Sequence, residues 1–248
     1  MKPKIAPVKN IVNLREAFSA VDQPDSPENM VLVHGDAGLG KTTAIAWLMC
    51  RTNAIVVRAD QTWSVHAMLK AIMREMGEAP LRSKSDMADA IVDHMKSQGR
   101  PLIVDEIDAC TDPQSRCDDG YAMLEVLRSL HDKARRPVIL VGMTGVEKYI
   151  AARKQLARRI QQGVRFAPAD LEDTRIVAEA RCDVAIADDL LQKLHADTRG
   201  NMGLIVVGMS DVEQFGRTNK LKQVTLEHWG ERSFSFAVDA WKRRREEA

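Results

Sequence analysis

The sequence predicts an α/β fold: a parallel sheet covered by helices on both faces, followed by a small all-helical domain. Three observations predict it. Short apolar strand patterns alternate with amphipathic helical ones as far as Phe166, the order expected of βαβ units. Between the first strand and the helix behind it, Gly35-Asp36-Ala37-Gly38-Leu39-Gly40-Lys41-Thr42 fits G-x-x-x-x-G-K-[ST] at every fixed position. Beyond Phe166 strand-like runs thin out and helical spacing takes over.

In chain order, Met30 to His34 reads as a short buried strand, and Thr43 to Met49 as the helix after the glycine-rich loop. Ala54 to Arg58 is a second strand. Ser64 to Met76 has apolar residues at Val65, Met68, Leu69, Ile72 and Met76, which is helical spacing and a core-packing stripe. A loop from Gly77 to Ser85 leads into a helix from Asp86 to Lys96, with Ser85 or Asp86 as its N-cap. Pro101-Leu102-Ile103-Val104 is a third strand, running into Asp105-Glu106. A polar stretch from Asp112 to Gly120 precedes a helix from Tyr121 to Lys133, and Pro137 to Gly145 holds a fourth strand. Helices are expected near Leu171–Cys182, Ala187–Ala196, Met202–Phe215 and Thr225–Arg244, the last with a break near Gly230. Pro168 blocks helix continuation and sets a boundary between residues 1–168 and 169–248.

Composition excludes several function classes. At 248 residues, with 29% charged and 45% apolar residues, the chain resembles an ordinary globular protein that buries a proper core. A net charge of +1 gives no global field for nucleic acid, so any such surface is local. Cys50, Cys110, Cys117 and Cys182 have no C-x-x-C spacing, which argues for reduced thiols rather than zinc. No signal peptide or membrane-length apolar run is read from the sequence, so the expectation is a soluble cytoplasmic protein without a membrane partner.

The chemistry follows from the loop. Its glycines let consecutive N–H groups turn toward phosphates, and the following helix adds its positive end. Residues Gly35 to Thr43 are expected to hold ATP, with Lys41 on the β/γ-phosphates and the Thr42 hydroxyl on Mg²⁺. Asp105 is the carboxylate on the Mg²⁺ side. Glu106 is the expected general base for water. A small-molecule kinase has little use for that second carboxylate, because activating water wastes its ATP. Asp108, just beyond, reads as a solvated or capping acid.

The order of phosphate loop, Asp-Glu strand, strand ending in Thr144, arginines and helical appendage resembles the AAA+ ATPases. That resemblance implies a three-layer P-loop NTPase core with a helical lid. Within that superfamily GDAGLGKTTA, LIVDEIDAC, VILVGMTG and LARRIQQGVRFAPADLED resemble the transposition ATPases of the phage Mu B type, close to the initiator clade. The resemblance covers about Asn10 to Trp229. It implies that Thr144 contacts the γ-phosphate or lytic water. It also implies that Arg158 or Arg159, the latter fitting the pattern better, reaches a neighbouring subunit's γ-phosphate. Asn10 belongs to a linker on the adenine. In the stretch around Asn201, Gly203 stands where relatives carry a basic residue, and Arg199 could substitute.

The Mu protein places a DNA-binding domain before its ATPase core, whereas 34 residues precede Gly35 here. Contacts with double-stranded DNA are therefore expected from the core or the helical domain: Thr62, Trp63, Arg82, Lys84, Arg116, and the basic run Lys242 to Arg245. The expected partners are duplex DNA, a transposase and further copies of this chain in a ring or helical filament. A helicase loader or initiator shares every motif named. A DNA-independent signalling or secretion ATPase shares the nucleotide site alone.

Overall fold

A computed structural model describes residues 1–2, 4–23, 28–111 and 120–234. The first part of the chain gives α1 (Lys9–Val21), β1 (Met30–His34), α2 (Lys41–Thr52), β2 (Ile55–Arg58), α3 (Val65–Glu75), α4 (Lys84–Gln98) and β3 (Leu102–Asp105). It continues with α5 (Asp108–Thr111), α6 (Gly120–Ala134), β4 (Val138–Gly142), α7 (Val146–Ala151), α8 (Lys154–Ala157) and β5 (Ile160–Arg165). The remainder holds α9 (Leu171–Arg181), β6 (Ala185–Ile186), α10 (Asp188–Thr198), α11 (Met202–Thr218), β7 (Gln223–Val224) and α12 (Leu226–Trp229).

The chain divides into two compact units. One holds Asn10–Ala37 and Lys41–Phe166; the other holds Met1–Lys9, Gly38–Gly40 and the chain from Ala167 on. The larger unit is built on a five-stranded parallel sheet of order β2-β3-β4-β1-β5. β3 and β4 are buried along their whole length, as parallel strands covered on both faces must be. The helical stripe of Val65, Met68, Leu69 and Ile72 lies in one hydrophobic core with Leu102, Val104 and Leu140. Full burial of such a side chain stabilises the fold by roughly 1.5–3 kcal/mol.

Several elements differ from the sequence reading, α4, α1 and β5 among them. α4 starts at Lys84 because the Ser83 hydroxyl accepts the Asp86 N–H (3.3 Å), displacing Ser85 and Asp86 as caps. α1 was read only as a linker around Asn10, yet Ile11, Leu14, Ala17, Phe18 and Val21 bury one face of a helix. β5 was not expected at all. Its register on β1 slips between Met30↔Ile160 and Val31↔Gln162, and that bulge breaks the apolar alternation that marks a strand.

The smaller unit is helical, with a two-stranded parallel ladder of β6 and β7. Asp170 caps α9 by accepting the Asp173 N–H, and Thr225 and His228 form a capping box on α12. α12 ends at Gly230, where the break is expected; residues 235–248, including Lys242 to Arg245, lie outside the described residues. Trp229 stacks on Phe234 and meets Phe215 edge-on, with centroids 5.0 and 5.5 Å apart. A Cβ on Gly208 would lie 2.4 Å from Leu194 Cδ1, so a side chain there would push Leu194 aside. Among the described residues no helix is long and apolar enough to cross a membrane.

Candidate nucleotide site

β1 delivers the chain to the site. After four buried residues, the backbone leaves the sheet at Gly35 and passes through left-handed conformations at Gly38 (φ 79°) and Gly40 (φ 88°). A side chain there would be strained, which is why the glycines stand at these positions. Leu39 is buried, while Asp36, Ala37 and Gly38 are exposed. α2 begins at Lys41, so the free N–H groups of its first turn open on the loop. Thr42 and Thr43 follow in that turn, both exposed.

Lys41 reaches back across the loop. Its ammonium donates to the Gly35 and Asp36 carbonyls (2.6 and 2.9 Å) and lies 3.6 Å from Met143 Sδ. Burial lowers its pKa, against the opposing pull of Asp105, Asp108, Asp36 and Glu106. The Thr42 hydroxyl points to Asp105 Oδ2 at 3.5 Å. Asp105 ends β3 and is buried, and burial raises its pKa; the Glu106 N–H on Oδ1 (2.9 Å) works the other way.

Glu106 is a non-glycine residue with positive φ, 55°, immediately after the strand. Its carboxylate is ion-paired with Arg58. That pairing holds Glu106 below the usual carboxylate range and pushes Arg58 up. Arg58 was not identified from the sequence. It sits opposite Asp105 in the β2–β3 register, and only that register brings it to Glu106.

Thr144 is exposed in the turn after β4. Asp108 is not the solvated or capping acid expected: its carboxylate accepts the Met143 N–H at 2.8 Å. Gly142 makes room for it, since a Cβ there would lie 3.0 Å from Asp108 Oδ1. On the other side of Thr144, Glu147 Oε2 accepts the Gly145 N–H (2.7 Å) and approaches His34 Nδ1 at 3.3 Å.

The structure thus brings Lys41, Thr42, Asp105 and the Thr144 turn together; Asn10, in the first turn of α1, is not among them. Arg158 and Arg159 lie at the far end of the sheet, because Met30 N–H donates to Arg159 O at the start of β1. That is about 15 Å of strand from Gly35. Arg159 donates to Asp132 (2.9 and 3.3 Å) and lies 3.4 Å from Glu28. The Arg158 side chain is exposed and makes no ion pair among the described residues. Of the two, Arg159 is therefore the ion-paired guanidinium and Arg158 the exposed one.

In the helical unit, Arg199 is the left-handed C-cap of α10, and Asn201 caps α11 by accepting the Leu204 N–H. Of the residues expected to touch DNA, Thr62, Arg82 and Lys84 are exposed. Trp63 is not a free aromatic: it packs partly against the core. Arg116 and Cys117 lie outside the described residues.

The donor set fits a hard cation, since a hydroxyl and a carboxylate converge and both are oxygen ligands. No group of three or more His, Cys, Asp or Glu among the described residues could hold a metal alone. A Mg²⁺ ion here would depend on phosphate oxygens and water, its usual habit.

A sequence profile described as AAA domain matches residues 24–150, just over half of the chain. No curated protein matches the sequence. Several solved structures share the fold. Cdc6p from Pyrobaculum aerophilum is 15% identical with a TM-score of 0.59, over 90% of this chain and 66% of that one. The ORC1 protein of Aeropyrum pernix, solved in complex with DNA, is 17% identical with a TM-score of 0.57, over 96% of this chain and 64% of that one. RuvB of Thermotoga maritima, a Holliday junction branch migration motor, is 18% identical with a TM-score of 0.57, over 89% of this chain and 66% of that one. This chain spans slightly less than two thirds of each. The family profile and the sheet order agree: the chain belongs to the AAA domain family of P-loop ATPases.

Proposed function

We propose that this ATPase assembles on double-stranded DNA in its ATP-bound form and delivers that DNA to a transposase. Residues 1–168 would serve as the ATPase core and residues 169–248 as its helical lid, with Met1–Lys9 grouping with the latter. The observation that carries the nucleotide part is the convergence of Lys41, Thr42 and Asp105 at the loop between β1 and α2. Gly35 to Thr43 would cradle the triphosphate, and Thr42 and Asp105 would hold Mg²⁺. The metal, when bound, would neutralise charge developing on the phosphates. Thr144 would contact the γ-phosphate or the water. Glu106 would orient that water once its carboxylate leaves Arg58.

Arg158 sits too far along the sheet to serve its own loop, so it would act on the phosphates of a neighbouring copy. Hydrolysis would then require a ring or filament. Support for DNA comes from the resemblance to the transposition ATPases and from the ORC1 structure solved with DNA. Exposed Thr62, Arg82 and Lys84 supply candidate contacts. A second reading, an initiator or helicase loader, is favoured by the likeness to Cdc6p and ORC1. Electron microscopy of the protein with a linear duplex tests the proposal. ATP-dependent coating of the duplex supports it, and absence of any assembly with ATP contradicts it. Retention of a transposase on the coated duplex, against a replicative helicase, separates the two readings.

A further inference from the structure

The turn that carries Thr144 is gripped by carboxylates on both sides. Met143 N–H, one residue before it, donates to Asp108 Oδ1 at 2.8 Å. Gly145 N–H, one residue after it, donates to Glu147 Oε2 at 2.7 Å. Both are charge-assisted bonds, about twice the strength of neutral ones. Met143 is exposed, so water could satisfy its N–H; the carboxylate adds direction rather than rescuing a buried donor.

Glu147 could be no more than a cap for α7, whose glycine N-cap supplies no side chain. Its second contact argues for more. His34 Nδ1, 3.3 Å from the same Oε2, belongs to the last residue of β1, directly before Gly35. Asp108 comes two residues after Glu106, at the exit of β3. A third tie, Lys41 Nζ to Met143 Sδ at 3.6 Å, comes from the phosphate loop itself. The Thr144 turn is thus tied to the acidic strand end and to the loop's lysine, and lies beside the approach to the loop.

We propose that Asp108 and Glu147 are positioning residues that hold the Thr144 hydroxyl in register with the phosphate loop for ATP hydrolysis. This rests on the reading of Thr144 as a contact to the γ-phosphate or its water. Both residues act through the main chain of the turn. Their loss loosens Thr144 and removes no group that itself binds nucleotide.

The test is steady-state ATP hydrolysis with duplex DNA present, with KM and kcat resolved separately. Asp108→Ala and Glu147→Ala should each lower kcat about 10- to 100-fold, the scale of a 1 Å misplacement, with KM for ATP within about threefold of wild type. Asp108→Asn and Glu147→Gln keep an acceptor oxygen in place and should recover kcat to within about threefold. In a Thr144→Ala background, Asp108→Ala should add less than about twofold, because both changes disable one device. If Asp108→Ala does not fold, Asp108→Ser, too short to reach Met143 N, takes its place. Hydrogen exchange at Met143 and Gly145 gives a second readout, with protection lost in the alanine variants and kept in Asn and Gln. Wild-type kcat in both alanine variants, or effects that multiply with Thr144→Ala, would overturn the inference. If Thr144→Ala itself hydrolyses ATP at the wild-type rate, the reading of Thr144 fails first, and the inference with it.

Discussion

The two ends of the parallel sheet carry the same kinds of residue and use them differently. Where β1 runs into Gly35, Lys41 is satisfied by carbonyls of its own loop, and Thr42 meets Asp105 at a long 3.5 Å. Glu106 leans on Arg58, whose side chain is 68% exposed. At the end where β1 starts, Asn29, His131, Asp132 and Arg159 are joined in one network of polar partners. Asn29 is buried, donates to Val21 O (2.7 Å) through its amide side chain and to His131 Nε2 (3.1 Å) through its main chain, and accepts the Val138 N–H. His131 Nδ1 faces Asp132 at 3.0 Å, and Asp132 is shared by Arg128 and Arg159. The first end holds Lys41, Thr42 and Glu106 on partners that phosphate and a cation can replace. The second end is interlocked and fixes where three elements begin.

The largest expected effect breaks this contrast at the adjacent arginines. Arg158→Ala should bind ATP normally and hydrolyse it about 10³-fold more slowly, the scale of a guanidinium acting across subunits. Mixed with Lys41→Ala, it should recover part of its activity, since one variant keeps the pocket and the other the arginine. Arg159→Ala should keep kcat within about threefold and lose about 1 kcal/mol of stability, as a half-exposed ion pair would. Stability from denaturant titration, beside the hydrolysis rates, checks both. The reverse assignment, with Arg159→Ala inactive and fully stable, would show that the interlocked end is not a structural device.

Next in size is Lys41→Ala, which should weaken ATP binding about 100-fold or more by removing the cation facing the phosphates. Equilibrium binding of labelled ATP measures it. Wild-type affinity would remove the phosphate loop from the account.

Legibility in the sequence follows the same division. The loop was readable because each requirement is local: glycines for positive φ, then lysine and threonine on the first helical turn. Asp105 was readable as the end of a continuous apolar run. Arg58 beside Glu106 and Asp108 beneath Met143 were not. Both depend on which strands pair and in what register, and no local pattern encodes that. Arg159 looked like its neighbour until the fold placed Asp132 next to it. β5 was hidden by its bulge and by Gln161-Gln162-Gly163, which give neither apolar alternation nor a buried run.

The smallest expected effect concerns pH at the interlocked end. Burial lowers the His131 pKa, against the pull of Asp132, so the folded state favours neutral imidazole. The Asn29 N–H also needs Nε2 as an acceptor. A depressed histidine contributes stability that is present above its unfolded pKa of about 6.5 and is lost as pH falls below it. Stability should therefore drop between pH 7 and pH 5.5, read as a fall in the thermal midpoint. Asp132 is a separate case. Burial pushes it up, but hydrogen bonds from Arg159 and His131 outweigh that and hold it low, so its loss belongs to more acidic pH. His131→Gln, which can still accept from Asn29, should flatten the slope above pH 5.5. An unchanged slope would mean that another group sets it.

The central claim is that ATP on this site controls residence on DNA, and its most direct test is dissociation of Glu106→Gln from a labelled duplex. The substitution keeps the reach of the side chain and removes the base, so ATP should bind and persist. Only a difference in affinity between nucleotide states can shift the DNA-bound population. After challenge with excess competitor in ATP, the variant should leave at least about tenfold more slowly than wild type, and both should leave faster at higher salt as counterions replace phosphate contacts. Equal dissociation rates for the two proteins at both salt concentrations would contradict the link between ATP hydrolysis and DNA binding.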